Sequence, residues 1–143
     1  MDQRIWLIRE KEREREREMN PETILITAAN QGMGSGLISY ILSQPEPPKF
    51  LFAGCTDPSV NNMKFLRAMA EKYSCLKLIP FDASIDENID SAFNTTDITM
   101  EGEGLNLLIN NAGVVDGTEG GLAVETRENM CSHFDTNATG KNN

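Results

Sequence analysis

Four short apolar runs punctuate the chain, each followed by a longer mixed segment. Thr23–Thr27 is rich in β-branched residues and is closed by Ala-Ala-Asn-Gln-Gly, which predicts a strand followed by a turn. Ser35–Ser43 predicts a helix, ended by Gln-Pro-Glu-Pro-Pro because proline cannot continue the hydrogen-bond ladder. Phe50–Cys55 is the second strand. Asp57-Pro58 then signals a helix start, with Asp as N-cap and Pro at the first helical position. Met63, Leu66, Ala70 and Tyr73 fall on one face of that helix. Leu76–Phe81 is the third strand, Glu87–Phe93 a short helix, and Thr95–Gly104 reads as a polar loop. Leu105–Ile109 is continuous and apolar, as buried parallel strands are. Val124–Thr139 is helical, with Met130, Phe134 and Ala138 on one face.

Strands separated by helices must cross over, and right-handed crossovers make the strands parallel. The expected fold is therefore α/β: a Rossmann-type, doubly wound parallel sheet. In such sheets ligands lie beyond the carboxyl ends of the strands, where the strand order reverses. Ahead of this body, residues 9–19 alternate in charge sign. Like charges recur at i,i+4 and opposite charges at i,i+3, and no apolar stripe runs through the segment. Residues 1–20 thus read as a charged helical extension, and residues 21–143 as the domain.

Charge sharpens this division. The formal net charge is −9. Residues 1–20 carry six acids and six bases, so the whole surplus lies in the body, which has sixteen acids and seven bases. An acidic body argues against nucleic acid or an anionic membrane as partner. The three cysteines, Cys55, Cys75 and Cys131, form no CxxC pair, which fits reduced thiols in the cytoplasm. His133 is the single histidine, so a multi-histidine metal site is excluded and no metal is expected. The run Ile5-Trp6-Leu7-Ile8 is too short for a signal-peptide core or a membrane span.

The candidate chemistry lies in two strand-end loops. "ITAANQGMGSGL", residues 26–37, leaves the first strand and opens the first helix. A pyrophosphate there can accept hydrogen bonds from backbone N–H groups and meet the positive end of the helix dipole. Gly32 and Gly34 can take positive φ and let an anion approach, and Gly36 would allow close helix–sheet packing. No Lys-Ser/Thr follows, which excludes the nucleoside-triphosphatase loop. "LNLLINNAGV", residues 105–114, ends the fourth strand in Asn110-Asn111-Ala112-Gly113. Asparagines there can bond neighbouring loops, and Ala112 and Gly113 leave room for a ribose or a flat ring.

Together these elements resemble the short-chain dehydrogenase/reductase family, and within it the sniffer-like carbonyl reductases, which are similar to the C-factor group. The family's Thr-Gly-x-x-x-Gly-x-Gly is matched by Thr27 to Gly34, and its Asn-Asn-Ala-Gly by Asn110 to Gly113. Asp82 matches the family's adenine-contacting Asp, and Asn137 in "HFDTNATG" its catalytic Asn. The resemblance implies reduction of a small carbonyl substrate with NADP, or NAD, as cofactor. It implies cofactor contacts from Thr27, Asn30, Gln31, Gly32, Met33, Gly34, Thr56, Asp82, Asn110, Ala112 and Gly113.

Three departures stand out. Ala28 occupies the place of the family's first glycine. Gln31 and Thr56 stand where sniffer-like proteins tend to carry Arg, the side chain suited to a 2′-phosphate. The family's Ser and Tyr-x-x-x-Lys are not found after Asn137; Tyr73 to Lys77 has that spacing but precedes Asn110, and a helix end and a strand do not share a helical face. A truncated sheet of order 3-2-1-4 is therefore expected, with Leu107, Leu108 and Ile109 on an open edge. Two other readings are a non-catalytic module pairing with a second copy or a full-length relative through that edge, and a non-functional fragment.

Overall fold

A computed structural model describes residues 7–11, 20–56, 63–113 and 126–139. Residues 7–11 are helical, while the rest of the alternating-charge segment lies outside the described residues. The body contains four strands: β1 (Thr23–Ile26), β2 (Phe50–Cys55), β3 (Leu76–Pro80) and β4 (Leu107–Ile109). Between and after them run α1 (Gly32–Leu42), α2 (Lys64–Lys72), α3 (Asp86–Met100) and α4 (Arg127–Phe134). A π-helical turn, Asp135–Thr139, continues α4. The sheet is wholly parallel in the order β3-β2-β1-β4, so the fold is the Rossmann-type arrangement expected.

The pleat sorts the strand residues into two cores. Ile24 and Ile26, Leu51, Ala53 and Cys55, and Leu76 point to one face, where they meet Ile38 and Leu42 of α1 and Leu66 of α2. Leu25, Phe52 and Ile79 point to the other, against Ala92 and Met100 of α3. The helices therefore cover opposite faces, and the connection from β3 to β4 changes sides. That change places the reversal of strand order between β1 and β4.

The apolar face expected for the second helix is present: Met63 and Leu66 are fully buried, and Ala70 and Tyr73 pack against the same core. The Asp57-Pro58 helix start lies outside the described residues. α3 is longer than its sequence predicts. Instead of ending at Phe93 it continues through the supposed loop to Met100. Ala92, Thr96 and Met100, spaced four apart, form its buried stripe. The threonine hydroxyls that argue for a loop are satisfied inside the helix: Thr95 Oγ1 donates to Ser91 O, Thr96 Oγ1 to Phe93 O and Thr99 Oγ1 to Thr95 O. The helix ends at Glu101, which is left-handed at φ 54°, followed by Gly102 at φ 84°.

β4 is shorter than expected because Asn106 is used as a clamp. Its Oδ1 accepts from the N–H groups of Glu22 and Thr23, and its own N–H donates to Thr23 Oγ1. β4 is an edge strand, with Leu107 and Leu108 37% and 56% exposed, rather than a strand buried on both faces. Met130, Phe134 and Ala138 are also exposed. Among the described residues no helix is long and apolar enough to cross a membrane.

Candidate functional site

The carboxyl ends of β1 and β4 are joined through one side chain. Thr27, only 1% exposed, follows directly on β1. Its N–H donates to Ile109 O at 3.1 Å, extending the ladder by one rung. Its hydroxyl accepts from the N–H groups of Asn111 and Ala112, both at 2.9 Å, and donates to Asn110 Oδ1 at 3.1 Å. The β4 exit loop is thus folded around Thr27 Oγ1. Asn111 returns the contact: its Nδ2 donates to the carbonyls of Thr27 and Ala28 at 3.1 and 3.2 Å.

That tie explains the backbone at the missing glycine. Ala28 lies in the left-handed region at φ 49°. The Asn111 amide holds its carbonyl, and the next residue, Ala29, donates its N–H to Gly54 O at 2.9 Å. Cβ is unfavourable at such a φ, costing roughly 1–2 kcal/mol, of which glycine's greater unfolded-state entropy would offset some 0.4–1. Ala28→Gly is therefore expected to stabilise the chain by about 0.5–1 kcal/mol, read as a raised urea midpoint with unchanged slope.

The glycines divide their labour differently from their sequence reading. Gly32 takes φ 50° and opens α1. Gly34 does not adopt positive φ; it is needed for space. A Cβ there would stand 2.8 Å from Ala29 Cα and 2.9 Å from Asn111 Nδ2, and closer still to the Ala28 carbonyl oxygen. The close packing assigned to Gly36 belongs to Gly34, since a Cβ at Gly36 meets nothing within 4 Å.

The first turn of α1 points into open surface. Its N-cap, Gln31, makes no side-chain cap, and no acid stands in the first turn. Gly32 and Met33 are exposed, Asn30 is half-buried, and the first N–H groups of a helix have no intrahelical partner. Such a terminus fits an anion that takes its hydrogen bonds from backbone. Phe81 N donates to Cys55 O at 2.8 Å, which brings the ends of β2 and β3 together and sets exposed Thr56 beside half-buried Asp82 in the sheet order. Asp82 Oδ1 accepts from the N–H and hydroxyl of Ser84, so this carboxylate also closes its own turn. Gly54 lets Phe81 approach β2: a Cβ there would lie 3.0 Å from Phe81 Cβ. A glycine inside an apolar strand was the available signal for that contact.

Asn137 reaches the same region from the π-helical turn. A Cβ on Gly113 would stand 3.2 Å from its Oδ1, so the Asn137 amide lies against the β4 exit loop. Tyr73 and Lys77 are not brought together as a pair: Tyr73 caps the C-terminus of α2 and packs on the core, and Lys77 is an exposed residue of β3. The hollow lined by Arg127, Met130, Cys131, Phe134 and Asp135 contains none of the strand-end residues. Among the described residues no group of three His, Cys, Asp or Glu side chains is placed to hold a metal ion.

The same arrangement of sequence and fold occurs in known proteins. A short-chain dehydrogenase, gsfK, of Penicillium aethiopicum is 31% identical over 121 residues, 84% of this chain and 46% of the relative. An NADPH-bound carbonyl reductase from chicken fatty liver superposes with a TM-score of 0.78 at 32% identity, covering 83% of this chain and 46% of that one. The carbonyl reductase Sniffer of Drosophila melanogaster gives 0.76 at 27% identity, covering 83% and 47%. In sequence the chain is similar to a short-chain dehydrogenase, and in fold to carbonyl reductases, Sniffer among them, over 83–84% of its length. No protein-family model matches the chain. The chain spans about half the length of the short-chain dehydrogenase/reductases it matches.

Proposed function

We propose that this chain holds the adenine and pyrophosphate half of a nicotinamide dinucleotide, and that the whole activity it serves is reduction of a carbonyl to an alcohol. The observation that carries the reading is the uncapped, acid-free N-terminus of α1 at the reversal of strand order, beside the loop organised by Thr27. Gly32, Met33 and Gly34 would meet the pyrophosphate through backbone N–H groups, flanked by Asn30 and Gln31. Thr56 would face the adenosine ribose and Asp82 the adenine. Asn110, Ala112 and Gly113 would border the central ribose, with Asn137 behind them as the family's catalytic asparagine. Thr27 acts by holding the β4 exit loop in place. NADP is the form that the resemblance implies, and NAD meets the same backbone donors.

When bound, the dinucleotide supplies the hydride. The contribution of residues 21–143 is cofactor retention, with residues 1–20 as a separate charged extension and the cytoplasm as the compartment. Calorimetric titration with NADH and NADPH tests the reading. Saturable binding below millimolar concentration supports it, and no binding of either at millimolar concentration ends it.

A further inference from the structure

We infer that the site selects the dinucleotide without a 2′-phosphate, NAD(H), over the phosphorylated form. The inference rests on the cofactor reading above and concerns the charge of the surface that the adenosine ribose would meet.

The described residues that follow the carboxyl ends of the strands are 27–31, 56, 81–85 and 110–113. None is a lysine or an arginine. The deficit extends further, because residues 78–126 hold no basic side chain and ten acids. Of the body's cations, Lys49 precedes β2 at the opposite, amino end of the sheet, where it pairs with Glu103 and lies over Phe50. Lys64, Arg67 and Lys72 belong to the exposed surface of α2, and Lys77 to β3. Arg127 opens α4 and lines the hollow that contains none of the strand-end residues, and Lys141 lies outside the described residues.

A 2′-phosphate brings nearly two negative charges and three strong acceptor oxygens. It requires charge-assisted donors, for which the arginine fork is best suited. The positions available are Gln31, exposed at the N-cap of α1, and Thr56, exposed at the end of β2. Both are neutral, and the Asp82 carboxylate stands one strand away. A free 2′-hydroxyl reverses the balance: it can donate to a carboxylate or exchange hydrogen bonds with a threonine hydroxyl or a glutamine amide. The pyrophosphate is common to both cofactors and relies on backbone N–H groups, so it does not discriminate. The chicken carbonyl reductase with which this chain superposes binds NADPH, so the two proteins would differ in cofactor despite a shared backbone.

The test is calorimetric titration of the 143-residue chain with NADH and NADPH at physiological salt. The fragments 5′-AMP and 2′,5′-ADP serve as probes of the adenosine end alone. NADH is expected to bind at least about tenfold more tightly than NADPH, with 5′-AMP ahead of 2′,5′-ADP. Gln31→Arg combined with Thr56→Arg, both at exposed positions, should reverse the order, and its NADPH affinity should fall steeply with added salt. Equal or tighter binding of NADPH by the unaltered chain overturns the inference while leaving the cofactor reading intact. Binding of neither dinucleotide overturns both.

Discussion

Thr27→Val is expected to lower stability by about 2–4 kcal/mol, although it replaces one β-branched side chain by another of nearly the same shape. The hydroxyl accepts two backbone N–H groups, from Asn111 and Ala112, and donates to Asn110 Oδ1. Its removal strands partly buried donors, each costing roughly 1–3 kcal/mol when left unpaired. The β4 exit loop would then lose its organising centre, and dinucleotide affinity should fall with stability. Thr27→Ser retains the hydroxyl and should recover most of the loss, its lost methyl costing only about 1 kcal/mol. Urea denaturation of the three proteins measures this. A Val variant as stable as the parent would show that the bonds to Thr27 Oγ1 contribute nothing net.

Gly34→Ala and Gly36→Ala form a matched pair whose effects should have opposite signs. Alanine favours a helix by roughly 1 kcal/mol over glycine, so propensity alone raises stability in both variants. At Gly36 the added methyl meets open space, and stability should rise by up to about 1 kcal/mol. At Gly34 it strikes Ala28 O, Ala29 Cα and Asn111 Nδ2, two of which are backbone and cannot swing aside. Overpacking of this kind costs about 1–3 kcal/mol, and the clash falls on the backbone turn itself, at the upper end of that range. Gly34→Ala should therefore be destabilised by roughly 1–2 kcal/mol net and lose dinucleotide binding, because α1 can shift only by pulling its first turn off the β1 exit. Thermal unfolding and the same titration read both effects. Equal stabilisation by the two substitutions would refute the packing role of Gly34.

The strands were the most legible elements, and the reason lies in their burial. β1 and β2 are covered on both faces, so nearly every side chain is apolar and the runs stand out from their surroundings. The helices were less legible. α2 shows its single buried face plainly, whereas α3 carries its stripe on Ala92, Thr96 and Met100 amid threonines that favour loops when read alone. Burial of that stripe against the β2–β3 face, with the Thr96 hydroxyl satisfied by Phe93 O, prolongs the helix. Of the strand-end residues, Thr27, Gly32, Gly34, Asn110 and Gly113 carry recognisable spacing. Gly54 and Ser84, which shape the same ends, do not.

The order of elements, the parallel sheet and the two loops at its carboxyl end are legible in the chain alone, because periodicity and turn chemistry are local properties. Tertiary structure alone decided which atoms those loops would share. Thr27 and Asn110–Ala112 are more than eighty residues apart, yet one hydroxyl organises the exit from both strands. Ala28 adopts a left-handed turn that its own Cβ disfavours, because the Asn111 amide and Gly54 carbonyl hold its neighbourhood in place. The duty of each glycine was settled in the same way: a glycine is required where other backbone already fills the space a Cβ would need, and that is a property of three dimensions rather than of spacing.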